Sequence, residues 1–347
     1  MTNLNIKEVK QSVWDDFNKS QPYSLFVQSS GYSDFNIKMN EKTWTFGIYE
    51  GDILVGGAIC ITVTAKRGNF LYLPYGPIIS NKCTDTFAAL DMFFTFLKKH
   101  TQDQSLSFIR ISPFISEESH LYLDIKKVGF KKAPMHILAE HTWLLPLDLT
   151  EEKLLANMKK NHRNLIRRCM REGVTITRST DSEALDDLNK LLTITAKRHS
   201  FVKFSDDYIK HEFESLASKG EASIYKAYLP DGRLDAVAII MQHGTMAAYR
   251  HSASLNLDKK LPTSYLLQWE VIKDAKKSGA AYYNFWGIAP KTATKKHPFY
   301  GITHFKKGFS GIGIDLIPCM DLPVSNKYYI TLAIEMIRKF KRGFNNA

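Results

Sequence analysis

One pattern is written twice in this chain, and that duplication constrains the fold more than any single residue. Phe46-Gly47-Ile48-Tyr49 runs through the turn Glu50-Gly51-Asp52 into Ile53-Leu54-Val55-Gly56-Gly57-Ala58-Ile59. Much later, Ile224-Tyr225-Lys226-Ala227-Tyr228 runs through Pro230-Asp231-Gly232-Arg233 into Leu234-Asp235-Ala236-Val237-Ala238-Ile239-Ile240. Both read as β-hairpins, with apolar β-branched arms around a Gly/Asp turn that accepts positive φ. An aromatic strand, an amphipathic helix and a further strand follow each hairpin. Helix and strand span Phe87–His100 and Ser105–Ser112 in the first copy, Thr263–Ser278 and Ala281–Gly287 in the second. Each copy then reaches a basic Gly-Phe element, Lys126-Lys127-Val128-Gly129-Phe130 and Lys306-Lys307-Gly308-Phe309. Tyr49 to Tyr228 and Gly129 to Gly308 stand at nearly the same offset, and chance similarity rarely preserves order and spacing together. The chain is a duplicated α/β (α+β) module.

A length of 347 residues suits two domains, and 44% hydrophobic residues suffice for two buried cores. The first domain is expected at residues 1–145, completed by the C-terminal segment 320–347, and the second at 146–319. Trp143–Leu149 reads as a linking strand. Thr150 caps a helix that carries a basic cluster and ends at Gly173. Further helices are expected at Ser182–Arg198 and Asp206–Ser218. The tail Ser325–Phe340 is amphipathic, with Tyr328, Tyr329, Leu332, Ile337 and Phe340 among lysines and arginines. It is expected to pack on the body, the alternative being a membrane surface. No apolar run approaches the ~20 residues that cross a bilayer, and Met1–Lys7 lacks the apolar core of a signal peptide. The expected location is therefore cytoplasmic. Cys60, Cys83, Cys169 and Cys319 show no CxxC or metal-ligand spacing and read as reduced residues without a catalytic role.

A net charge of +12 points to polyanionic partners, because the cations cluster. Lys159, Lys160, His162, Arg163, Arg167, Arg168 and Arg171 crowd one segment. Lys291, Lys295, Lys296, Lys306 and Lys307 surround a second, and Lys339, Lys341 and Arg342 form a third. Scattered lysines would mean solubility alone; clusters favour a phosphate-bearing partner. Nucleophile chemistry has little support. No Gly-x-Ser-x-Gly elbow and no His-Glu-x-x-His are present, His211-Glu212 alone is weak, and no metal is expected.

The order of hairpin, strand, helix and strand resembles acetyltransferases of the GNAT superfamily. Their acetyl-coenzyme A sits on a Gly-rich turn at a helix N-terminus. Leu255-Asn256-Leu257-Asp258-Lys259-Lys260-Leu261-Pro262 holds that place in the second copy without glycine, so the fold is expected without the cofactor. Closer motifs resemble the FemAB family: Tyr72-Leu73-Pro74-Tyr75-Gly76-Pro77-Ile78, the helix Met158–Arg171, Tyr265–Ile272, Tyr283-Asn284-Phe285-Trp286-Gly287-Ile288, and Gly301–Phe309. Members are peptidoglycan cross-bridge aminoacyltransferases, which move an amino acid from aminoacyl-tRNA to a stem-peptide amine of a cell-wall precursor. The resemblance implies two tandem GNAT-like domains. With no long helical arm between Thr150 and Ser223, the chain looks like the compact FemX type.

The resemblance also implies site residues. Phe305 and Lys306 look like the pair lining the acceptor channel, the lysine stabilising charge as the ester carbonyl is attacked. The segment is expected to be extended, which turns Lys306 and Lys307 to opposite faces. Lys38, Tyr75, Lys203, Tyr208 and Arg250 are the implied substrate-binding residues. Two positions depart from the compact pattern: Ser112 replaces an aspartate, and Phe204 a phosphate-binding arginine beside Lys203. Lys159, Lys160, Arg163 and Arg167 are the expected tRNA contacts. Implied partners are aminoacyl-tRNA as co-substrate, with no other cofactor, and a precursor that is lipid II or a UDP-MurNAc-peptide. Peripheral contact with the inner membrane surface goes with the lipid-linked form. Two alternatives stand beside this reading: an acyl-coenzyme A N-acyltransferase, and a non-enzymatic basic protein binding tRNA or membrane.

Overall fold

The structure is a computed structural model that describes residues 3–65, 68–199 and 202–341. Its first part contains β1 (Leu4–Glu8), α1 (Gln11–Lys19), α2 (Ser30–Lys38), β2 (Thr43–Glu50), β3 (Ile53–Ala65), β4 (Gly68–Tyr75), β5 (Ile78–Ile79), α3 (Thr86–Asp103), β6 (Phe108–Pro113), α4 (Leu121–Val128) and β7 (Lys131–Lys132). There follow β8 (His141–Pro146), α5 (Glu151–Asn157), α6 (Lys160–Arg171), β9 (Thr175–Ser179), α7 (Leu185–His199), α8 (Asp206–Ala217) and β10 (Ala222–Tyr228). The chain continues through β11 (Leu234–His243), β12 (Met246–Ser254), α9 (Thr263–Lys277), β13 (Tyr282–Gly287), α10 (Tyr300–Lys307), β14 (Ile312–Asp315), β15 (Met320–Pro323) and α11 (Tyr328–Lys341).

The repeat read from the sequence is a repeat of sheet topology. One sheet runs β1-β2-β3-β4-β6-β15-β7 with β5 on β3, and the other runs β14-β8-β13-β12-β11-β10-β9. In each, an antiparallel hairpin leads to a strand that pairs in parallel with the next one, β4 with β6 and β12 with β13. A parallel pair needs a crossover, which α3 and α9 provide. The duplication extends to detail. Both hairpins shift register at equivalent points, between Ile48 and Tyr49 and between Ala227 and Tyr228. Gly51 and Gly232 turn them at φ 61° and 83°.

Three apolar cores follow from this layering. One lies under α3 and is built from Phe93, Phe94, Leu97, Ile109 and Ile111. Another lies under α9 and α6, with Ile166, Trp269, Ile272, Phe285 and Phe309. The third joins the two sheets: Trp14, Phe26, Phe35, Phe70 and Tyr75 meet Leu188, Phe213, Ile224, Ile239 and Met241. That shared core carries the site.

Three local features differ from expectation. The strand β8 hydrogen-bonds to β13 and β14, so residues 141–146 belong to the second sheet and a boundary at 145 cuts through a strand. The helix expected from Thr150 to Gly173 is two helices. Met158 and Lys159 are extended, with ψ of 156° and 141°, because Met158 is buried and the Lys159 amide donates to the Gly308 carbonyl at 2.9 Å. The segment holding Lys306 is helical rather than extended, being the last turn of α10. In the tail, β15 pairs with β6 and β7, and α11 lies beyond it. Arg342 and the side chain of Lys341 lie outside what the structure describes.

Candidate active site

The site begins with Lys306. It is only 7% exposed, and its Nζ donates to the Gly287 carbonyl at 2.6 Å. Burial pulls its ammonium from the ordinary 10.5 down to about 7. A group so placed holds or gives up a proton near neutrality, and it retains donors for an incoming anion. Phe305, half-buried, packs against Tyr265 and Phe309 at 5.0 and 5.2 Å. Lys307 is turned away, its ammonium 5.3 Å from the Trp143 ring.

Gly287 ends β13, and the residue before it anchors the rest of the seam. Trp286 has φ 65°, a conformation a bulky side chain enters at a cost of about 1–3 kcal/mol. The buried Asn284 holds it there by accepting the Trp286 amide at 2.8 Å while accepting Thr142 Oγ1 at 2.7 Å. The indole then meets Tyr75 at 5.4 Å and Phe26 at 5.5 Å, both from the first half of the chain. Tyr75 also has positive φ, 53°, and its hydroxyl donates to the Ala139 carbonyl at 3.0 Å. Two strained aromatic residues from opposite sheets thus close on each other one residue from the carbonyl that holds Lys306.

Arg250 carries the seam onward. Its guanidinium lies 5.6 Å from the Trp286 ring and 5.9 Å from Phe26. It donates to the fully buried Glu212 at 2.8 Å and to the Tyr208 hydroxyl at 3.3 Å. His251 Nε2 holds the other carboxylate oxygen at 2.7 Å. Burial alone would raise the Glu212 carboxyl, but Arg250 and His251 hold it down at about 2. Arg250 is therefore a neutralised cation, and a phosphate would have to compete with Glu212 for it. Phe204 stacks on Tyr208 at 4.5 Å, and Phe35 meets Tyr208 edge-on at 4.9 Å. Lys38 is exposed one turn after Phe35, and Lys203 is paired with Asp206. Ser112, in place of an aspartate, accepts the Tyr72 hydroxyl at 3.1 Å.

Lys306, Tyr75, Arg250 and Tyr208 thus fall on one continuous seam, with Lys38 and Lys203 at its outer end. Sequence reasoning missed Trp286, Phe26 and Glu212 as members. Trp286 stood inside a quoted motif, and its neighbour Gly287 was the available signal.

The basic helix reaches the same place from the other side. His162 Nε2 donates to the Phe305 carbonyl at 2.9 Å, and its ring fills the space a side chain at Gly308 would need. The start of α6 is thereby locked to the end of α10, one turn from Lys306. Lys159, Lys160, Arg167 and Arg168 are exposed. Arg163 is committed: its Nη1 donates to the Ala156 carbonyl at 2.7 Å and to that of Met158, closing the end of α5. The four cysteines are buried and unpaired.

Comparison with known proteins gives these contacts a family. Residues 9–230 and 218–336 match the model of the FemAB family, and the chain belongs to that family. It is 19% identical over 287 residues to a protein named lipid II:glycine glycyltransferase from Staphylococcus epidermidis, across 63% of this chain and 68% of that one. The crystal structure of FemX superposes with a TM-score of 0.84 at 18% identity, covering 95% of this chain and 100% of that one. A tandem GNAT protein from the clavulanic acid biosynthesis pathway superposes at 0.56 and 9% identity, covering 93% and 99%. Two tandem GNAT-like domains are therefore the fold. Among the described residues, no helix is long and apolar enough to cross a membrane.

Proposed function

We propose that this FemAB-family transferase moves an amino acid from aminoacyl-tRNA to a stem-peptide amine of a peptidoglycan precursor, building a cross-bridge. The observation that carries the reading is the buried Lys306 at the end of an aromatic seam shared by both modules, with the exposed cations of α6 docked one turn away. The reaction is aminolysis. The acceptor nitrogen attacks the ester carbonyl, the bond to the ribose oxygen breaks, and an amide forms. A phosphate or carboxylate of the substrates takes the proton from the attacking amine, and the ribose hydroxyl regains one.

The protein need supply no nucleophile. Aligning two substrates is worth about 7–11 kcal/mol of the barrier, and one well-placed donor about 3–4 kcal/mol. Lys306 fits the donor role, since negative charge growing on the carbonyl oxygen restores the positive charge that burial weakens. The glycine-free segment before α9 gives pyrophosphate no Gly-rich turn, which speaks against the acyl-coenzyme A alternative. The test incubates the protein with a mixture of charged tRNAs and either lipid II or UDP-MurNAc-pentapeptide, then reads the product by mass. A mass gain of one or more amino acids that requires charged tRNA supports the proposal. Transfer from acyl-coenzyme A instead, or saturable coenzyme A binding, overturns it.

A further inference from the structure

The helix α11 turns a charged residue inward. Glu335 is completely buried and Thr331 nearly so, beside the core residue Tyr328 and the half-buried Leu332. Glu335 accepts from Arg110 at 2.8 and 3.1 Å, and Arg110 also grips Asp321 of β15 through two bonds of 2.7 and 2.8 Å. These three charged side chains are at most 1% exposed, and the Arg110 guanidinium lies over the Phe70 and Phe108 rings. Most of the helix's apolar residues face solvent instead. Tyr329 is 55% exposed, Ile330 64%, Ile334 37%, Met336 58%, Ile337 57% and Phe340 76%. At about 100° per residue these six fall on one side of the helix, with Ala333 among them. Single exposed apolar residues need no explanation, but a stripe along a helix marks a surface built to be covered.

We infer that this face docks the protein on an anionic lipid bilayer, with α11 lying in the plane of the headgroups. The charges select that occupant. The only acid on the helix is Glu335, which is buried and paired, so its outward charge is positive. Lys327 and Arg338 border the apolar stripe, as in helices that rest at a membrane interface with cations reaching for phosphates. A second copy of the same face would bring like charges together on a chain that already carries +12. The buried ion pairs explain how an apolar face stays outward: Glu335 fixes the rotation of the helix, and turning it over would strand Arg110 with one partner fewer. The inference stands on the helix alone and holds whatever the transferase substrate proves to be.

Co-sedimentation of the full chain with vesicles tests it. Phosphatidylcholine vesicles with phosphatidylglycerol should bind the protein in a salt-sensitive way, and pure phosphatidylcholine should bind it far more weakly. Ile337→Ser with Phe340→Ser should weaken binding about tenfold or more. Lys327→Ala and Arg338→Ala should each weaken it about fivefold on anionic vesicles only. All four positions lie on the outward part of the helix, at its border or at its start, so unfolding midpoints should stay at the wild-type value. Equal vesicle binding by wild type and the Ile337/Phe340 variant overturns the proposal, as does no binding by wild type. Light scattering that shows a dimer abolished by the same substitutions would assign the face to a second copy and overturn it too.

Discussion

Lys306→Met is expected to make the protein more stable and inactive at once. The lysine falls from 10.5 to about 7 on burial, which at about 1.4 kcal/mol per pH unit corresponds to about 5 kcal/mol, most of it felt at pH 7. Methionine removes that cost but leaves the Gly287 carbonyl without its donor, a loss of about 1–3 kcal/mol. The net gain at pH 7 is about 2 kcal/mol. Between pH 7 and 10.5 the unfolded chain binds more protons at this position than the folded one, so wild-type stability rises with pH and the variant does not follow. The advantage of methionine should therefore shrink through this window, reverse near pH 9, and approach the cost of the lost hydrogen bond alone near pH 10.5. Urea unfolding followed by tryptophan fluorescence at pH 7, 8.5 and 10 measures the difference. Turnover should fall by about two to three orders of magnitude, as for loss of an oxyanion donor. A variant less stable than wild type at pH 7, or a gain that does not change with pH, would refute the reasoning about burial. Full activity would remove Lys306 from the site.

Four further outcomes follow from the same contacts. Lys307→Met, beside the Trp143 ring, should change stability by no more than about 1 kcal/mol and leave most turnover, as measured by steady-state kinetics. Neutralising Lys159, Lys160 and Arg167 should lower the log–log salt slope of tRNA binding by about 0.7–0.9 per lost contact, whereas Arg163→Ala should lower the unfolding free energy by about 1 kcal/mol in urea titrations, through the exposed end of α5. Arg110→Met should lose about 3–5 kcal/mol in urea titrations, because it removes the cation that neutralises the buried Asp321 and Glu335.

The fold was legible because each module repeats cues that act locally: Gly/Asp hairpin turns, alternating strands and an amphipathic crossover helix. Even the register shift falls at the same tyrosine of each hairpin. The site was legible in part. Family likeness named Lys306, Tyr75, Tyr208 and Arg250, and packing brings them onto one seam. Trp286, Phe26 and Glu212 were not named as site residues, because each acts through a partner distant in the chain; Glu212 meets Arg250 across 38 positions. The break between α5 and α6 was equally hidden. No proline or glycine marks it, and its causes are the burial of Met158 and the amide bond from Lys159 to Gly308. For α11 the periodicity gave a stripe but not its direction, which Arg110 sets from a strand more than two hundred residues earlier.

The two Gly-Phe elements show how one copy of a duplicated module became a site. Both end a short helix, α4 at Val128 and α10 at Lys307. Aligned on their glycines, Lys127 of the first corresponds to Lys306 of the second. Lys127 is 63% exposed and pairs loosely with Asp124 at 3.4 Å, which leaves its ammonium in water. The glycines serve different ends. Gly129 takes φ 108°, the left-handed residue that closes α4. Gly308 is right-handed, with φ −70°, and any residue could adopt its backbone; it is small because the His162 ring occupies the space of its side chain. That close approach lets α6 lie against α10, roofs the last turn and joins the exposed cations to the buried one. What distinguishes the second copy is thus neither its strand order nor its lysine, both of which the first copy has. It is the basic helix seated on a glycine, which turns an ordinary helix end into an enclosed charge.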